Sequence, residues 1–192
     1  SSRNPINYVD FKAPPEKVIN KNFYKNAKAV VCLSKMHREI FEKNISLENM
    51  RNINCSLFDD DKIALLLELS KTPKTKDYAI IDTSNPTKKR DQTMKWCRSK
   101  GIDFDLISHE NNNEFLKIMA QYKNLVFMTG HPEPTPRIAV EAKLMGVKLM
   151  APKKLIGVAH EYWWDWEPEK VAEELKVIRE GAYEMFREFL SE

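Results

Sequence analysis

Six short apolar runs, separated by segments of helical periodicity, constrain this chain more than any other feature. The runs fall near 29–33, 50–55, 77–82, 103–108, 124–129 and 147–151, and the helical spacing near 16–26, 35–44, 60–70, 88–99, 112–122, 136–146 and 168–190. Short runs rich in Val, Ile, Leu and Met read as buried strands, and apolar residues recurring at the spacing of a helical turn read as helices. Their alternation makes the strands parallel, because each helix returns the chain to the start of the next strand. The expectation is an α/β fold, a Rossmann-like parallel sheet with helices on both faces. Residues 1 to about 15, with Pro5, Pro14 and Pro15, read as irregular or extended, and 71–76 (KTPKTK) as a polar surface connection.

A chain of 192 residues can bury a real core. Its 42% hydrophobic and 31% charged content is that of a soluble globular protein. No apolar run approaches the roughly 20 residues that span a bilayer, and no leader peptide is read at the start. A net charge of +3 is too small to argue for a nucleic-acid partner without a clustered basic face. Cys32, Cys55 and Cys97 are odd in number and lack a C-x-x-C spacing, which suits reduced thiols packed as small hydrophobes in a reducing cytoplasm.

The segment 131–146, HPEPTPRIAVEAKLMG, concentrates the candidate chemistry. Thr135 is expected to cap a helix that has Pro136 in its first position and Gly146 as its stop. Glu133 then precedes the helix and Glu141 lies in its second turn. Arg137 stands four residues before Glu141 on the same face. With the free N–H groups of Arg137 and Ile138 it makes a helix mouth that holds an anion. The local residues leave a second reading open, in which Arg137 and Glu141 form a surface ion pair and Glu133 is a loop residue. The flanking runs 124–129 and 147–151 favour the first, because they set both carboxylates beyond the carboxyl end of a strand, the edge where open α/β sheets bind ligands.

This strand, Pro-Glu turn, helix and Gly-Val strand resembles the nucleotide-sugar-binding core of the GT-B retaining glycosyltransferases, often called glycosyltransferase family 4. Glu133 and Glu141, followed by Ala142, and then Gly146-Val147 carry the resemblance. Weaker similarities extend over nearly the whole chain. Residues 24–34 (YKNAKAVVCLS) look like the last strand before the interdomain crossing, 51–54 (RNIN) like the first strand after it, and 167–175 (EPEKVAEEL) like a late helix. Residues 155–161 (LIGVAHE) match a donor-facing loop.

The resemblance implies a division into 1–48, the tail of an acceptor domain, 49–178, a Rossmann-like donor-binding domain, and 179–192, a C-terminal helix, with most of the acceptor-binding domain missing. It implies a retaining, metal-independent hexose transfer from a nucleoside-diphosphate sugar, with no further cofactor, to a glycan or lipid acceptor. The setting would be the cytoplasm, including the periphery of a membrane. Glu133 would be catalytic and meet hydroxyls of the hexose, Glu141 would hold the ribose hydroxyls, and Thr135, Ile138 and His131 would line the donor. The chemistry is consistent: a carboxylate accepts from two vicinal hydroxyls at once, and beside an anomeric centre it stabilises developing positive charge.

The family also brings a basic pair to the diphosphate from the loop after the run 77–82, which is here 83–90, TSNPTKKR. Lys88, the second catalytic candidate, and Lys89 would start a helix there. Each cation would oppose the macrodipole by roughly 0.3–1 kcal/mol, so the placement wants an anion. The alternative is a solvated basic patch with a later helix start. The family's usual arginine falls at Thr83, and Arg137 is a partial replacement. Pro134 and Pro136 stand where the family often has glycines, and they remove backbone donors.

Other motifs fail on context. Asp103-Phe-Asp105 has the metal-binding DxD spacing of the GT-A glycosyltransferases but begins a predicted strand, and His131-Pro-Glu133 lacks the P-C-x-x-C partner of zinc deaminases, so no metal is expected. Five glycines leave little room for a dinucleotide or triphosphate cradle. Tyr162, Trp163, Trp164 and Trp166 make either a stacking surface or, with more weight, core packing for the last helix, and Glu161 beside them is a further donor candidate. Two rival functions remain: a non-catalytic nucleotide-sugar or carbohydrate-binding module, and a sugar-nucleotide epimerase on the GT-B fold.

Overall fold

A computed structural model describes residues 11–191. The expectation of an irregular start is therefore addressed only from residue 11 on, and Pro5 lies outside the described residues. After a 3-10 turn at Pro15–Lys17 come α1 (Lys21–Asn26), β1 (Val30–Cys32), α2 (Lys35–Asn44) and β2 (Met50–Asn52). The expected continuous helix over 16–26 is broken by Asn20, whose φ of 58° lies in the left-handed region and cannot continue a helix. Then follow α3 (Asp60–Ser70), β3 (Lys76–Ile81), α4 (Arg90–Ser99), β4 (Asp105–Ile107), α5 (Asn112–Met119), β5 (Tyr122–Val126), α6 (Arg137–Leu144), β6 (Lys148–Met150) and α7 (Pro168–Ser191).

The strands are parallel, as the alternation requires, but they form two sheets rather than one. β1 pairs with β2, and the other four strands run in the order β4-β3-β5-β6. Just beyond β2, Asn54 takes a left-handed conformation at φ 61°, and β2 stays paired with β1 instead of joining the larger sheet.

Side-chain alternation loads both faces of the larger sheet. Ala79, Ile81, Ile107, Leu125 and Leu149 pack into a core shared with α3, α5, α6 and α7, while Tyr78, Ile80, Val126 and Met150 meet Cys97 and Met94 of α4. Trp163 is fully buried in the first core with Trp164 and Trp166 against it, so the aromatic cluster is chiefly packing; only Tyr162, 55% exposed, faces solvent. β5 begins at Tyr122, two residues before the predicted run, because Tyr122 is a buried core residue and not the end of α5.

The strand order fixes where a ligand can enter. From β3 the chain goes outward to β4 and then returns across β3 to β5. The loops after β3 and β5 therefore leave the carboxyl edge in opposite directions and open a crevice between them.

Candidate functional site

The loop after β3 is built around short polar bonds. Thr83 Oγ1 accepts from the Asn85 amide, Asn85 Oδ1 accepts from the Thr87 amide, and a 3-10 turn covers Pro86–Lys88. The helix predicted from 88 begins at Arg90, because Lys89 takes a left-handed conformation (φ 51°) and caps α4 without a side-chain bond. Lys88 thus projects from the turn rather than from the helix. Its Nζ donates to both Glu133 carboxylate oxygens at 2.8 Å and lies 5.2 Å from the centre of the Phe127 ring. Across the crevice the Gly130 amide donates to Thr87 O at 3.1 Å, and the Lys89 stem lies over Gly130. Arg90 does not face the crevice chemistry. It pairs with Asp82 at 2.7 Å and with Asp91, and these bonds raise its pKa above the ordinary guanidinium value.

Glu133 is held by its backbone. Its N–H donates to Leu155 O and its carbonyl accepts from the Gly157 N–H, both at 2.8 Å. This bridge needs a glycine: a Cβ at Gly157 would stand 2.2 Å from Pro134 O and 2.5 Å from Ser34 Oγ. The side chains of the Lys88–Glu133 pair are 31% and 12% exposed, so the pair is reachable from solvent.

The helix mouth differs from expectation by one residue. Pro136 is the N-cap (φ −63°, ψ 115°), Arg137 the first helical residue, and no side chain caps the end. Thr135 does not cap; it is buried, with its hydroxyl 2.7 Å from Ser56 Oγ. Arg137 lies 4.3 Å from the centre of the Phe58 ring and donates to Leu57 O at 3.1 Å. The alternative reading of an Arg137–Glu141 surface ion pair is not what forms: the flat guanidinium lies on the aromatic face and Glu141 turns toward α3. Ile138 packs half-buried against the core, and His131 is exposed, with its carbonyl accepting from Thr129 Oγ1 at 2.8 Å.

Glu141 is 5% exposed and stands 3.8 Å from Lys62 Nζ. Burial raises its pKa above the ordinary carboxyl value, while Lys62 and Arg137 oppose that rise. Sequence reasoning missed Lys62, whose only signal was its place in the first turn of α3 after the Asp59 cap. Nothing local ties it to a residue on another helix. Glu161, read as a further donor candidate, accepts through Oε1 from the Lys35 amide at 2.7 Å at the start of α2, and burial raises its pKa.

Asp105 accepts from the Tyr122 hydroxyl at 2.8 Å, a structural role for the DxD residue. Among the described residues no group of three or more His, Cys, Asp or Glu could hold a metal. All three cysteines are free and buried. Burial lifts Cys32 to about 11 and Cys55 to about 12, which makes them poor nucleophiles. Among the described residues no helix is long and apolar enough to cross a membrane. Hollows of about 270 and 420 Å³ border β6 away from the acidic pair, lined by Trp164, Leu149 and Lys153. The paired acids and bases are gathered instead on the loops after β3 and β5 and on α3 and α6.

No family model and no curated protein matches this chain. Its fold is similar to that of the Anabaena protein Alr3699/HepE, solved in complex with UDP and glucose, with a TM-score of 0.50 and 11% sequence identity, over 91% of this chain and 68% of that one. At that identity the likeness shows the fold alone.

Proposed function

We propose that the chain is the donor-binding part of a nucleotide-sugar-dependent glycosyltransferase that retains anomeric configuration and needs no metal. The carrying observation is the Lys88–Glu133 pair, in which a cation from the loop after β3 meets a carboxylate from the loop after β5 at the topological switch point. The solved neighbour with this fold was crystallised with UDP and glucose, the two halves of the ligand proposed here. On donor arrival the diphosphate would take Lys88, and Glu133, released, would accept from hydroxyls of the hexose. Glu141 would hold the ribose. In the reaction the bond from the anomeric carbon to the β-phosphate oxygen breaks, the acceptor oxygen bonds to that carbon and passes its proton to the departing phosphate oxygen, and the nucleoside diphosphate leaves. Lys88, Lys89 and the uncapped start of α6 would stabilise its charge, with Thr83 and His131 as lining and Thr135, held by Ser56, and Ile138, packed on the core, behind it.

In this reading 49–178 is the donor unit, 1–48 the tail of an acceptor-binding part carried by a longer chain or a partner, and 179–192 a C-terminal helix, although β2 pairs with β1 and α7 runs unbroken from Pro168 to Ser191; the acceptor is a glycan or lipid. A second reading, a binding module without turnover, is favoured by three residues: Thr83 where the family has arginine, and Pro134 and Pro136 where it has glycines. Calorimetry with UDP- and GDP-sugars, followed by product analysis with and without acceptors, tests both. Binding that Glu141→Ala abolishes supports the donor site; no binding to any member of the panel removes it; binding without product under every acceptor favours the module.

A further inference from the structure

The nucleotide reading leaves one buried cation without a task. Lys62 sits in the first turn of α3, where its amide donates to Asp59 Oδ1 at 2.7 Å, and its ammonium reaches across to α6 and α5. There it lies 3.8 Å from Glu141 Oε1 and donates to the side-chain oxygen of Asn112. The two charged side chains are 13% and 6% exposed, so this is an enclosed pair and not a surface contact.

We infer that Lys62 is a positioning residue of the nucleotide site, one that keeps Glu141 aimed and charged so that it can accept from two vicinal hydroxyls. This rests on the proposal that Glu141 binds a ribose. The physical need is plain: an enclosed carboxyl without a partner takes up a proton, and a protonated carboxyl has lost an acceptor position and gained a donor. The charges around Glu141 leave Lys62 as the main opposing cation. Arg137, on the same helix, is committed to Phe58 and Leu57. On α3, Asp60 is engaged by Arg179 of α7 at 3.0 and 3.1 Å, and Asp59 and Asp61 are exposed. On α5, Asn112 is neutral and Glu114 is paired with Lys117 at 2.7 Å. Asn112 in turn tethers the ammonium, so Lys62 is fixed at both ends of its stem.

The test has a ligand-free readout and a ligand-dependent one. In the free protein, carbon-13 NMR of the Glu141 carboxyl is followed against pH in the native chain, in Lys62→Met and in Lys62→Arg. The inference expects the midpoint to rise by about one pH unit or more in Lys62→Met, as loss of a close cation does, and to stay near native in Lys62→Arg. An unchanged midpoint in Lys62→Met overturns it. Should Lys62→Met fail to fold, Asn112→Ala loosens only the tether and is expected to raise the midpoint by a smaller amount; no rise there overturns the inference as well. The second readout is UDP binding, expected about tenfold weaker in Lys62→Met near pH 6 and recovering as the pH rises, with Lys62→Arg near native. A shifted midpoint in a protein that binds no UDP leaves Lys62 in its role toward Glu141 and removes the donor reading instead.

Discussion

Two lysine–glutamate pairs flank the same turn and are built differently. Lys88–Glu133 joins two loops, makes two 2.8 Å bonds, and leaves the lysine about one-third exposed. Lys62–Glu141 joins two helices at 3.8 Å and is nearly closed to solvent. An open pair can exchange its partners for a ligand's phosphate and hydroxyls at little cost, whereas an enclosed pair stays together and sets the charge of the pocket. The contrast suggests a division of labour: the reacting end of a donor at the loops, its nucleoside at the helices.

The largest effect should come from breaking the enclosed pair. Glu141→Ala leaves the enclosed Lys62 ammonium without its counter-charge, with Asn112 as its remaining partner, and is expected to destabilise the chain by about 3 kcal/mol, read as a lower urea midpoint. An equal loss in Glu133→Ala would erase the contrast. Next comes the support of the open pair: Gly157→Ala forces a Cβ against Pro134 O and Ser34 Oγ, and overpacking of this kind costs about 1–3 kcal/mol. It should also weaken UDP-sugar binding, because the Glu133 backbone is bridged to Gly157. Glu133→Ala itself should cost about 1 kcal/mol or less in stability while still weakening sugar binding.

A pH effect is expected of the two enclosed acids. The pKa values of Glu141 and Glu161 are raised by burial, so each holds its proton more tightly folded than unfolded. Each one's contribution is fully present below the ordinary value of 4.5 and is lost as pH rises through the folded value. Glu161→Gln should flatten the fall of the urea midpoint over that window; an unchanged slope would show that Glu161 is not the group responsible. The smallest effect is expected at Gly130, where the nearest atoms a Cβ would meet belong to the flexible Lys89 stem. Gly130→Ala should shift the thermal midpoint little, and a loss as large as that of Gly157→Ala would mean that Lys89 is fixed.

Local chemistry made much of this legible. Helices 35–44 and 60–70 appear as predicted because Ser34 and Asp59 accept from the amides of His37 and Lys62 and fix the starts. Glu133 is singled out by its place after the run 124–129 and Lys88 by the family resemblance, and the two side chains meet. What stayed hidden depends on partners distant in sequence. Thr135 has the chemistry of a cap, yet its hydroxyl is taken by Ser56. Arg137 has the spacing for Glu141, yet Phe58 offers its ring. The pairing of β2 with β1 rather than with the larger sheet has no local signal in the residues of β2 themselves.

The central claim is that the crevice between the loops after β3 and β5 takes a nucleoside-diphosphate sugar by exchanging the Lys88–Glu133 pair. Titration of UDP-glucose into the native chain and into Lys88→Ala by calorimetry tests it directly. The account predicts saturable one-to-one binding by the native chain and about tenfold or greater weakening in the variant, as expected for loss of a charge-assisted contact. Equal affinity in the two proteins, or no heat of binding in either, would contradict it.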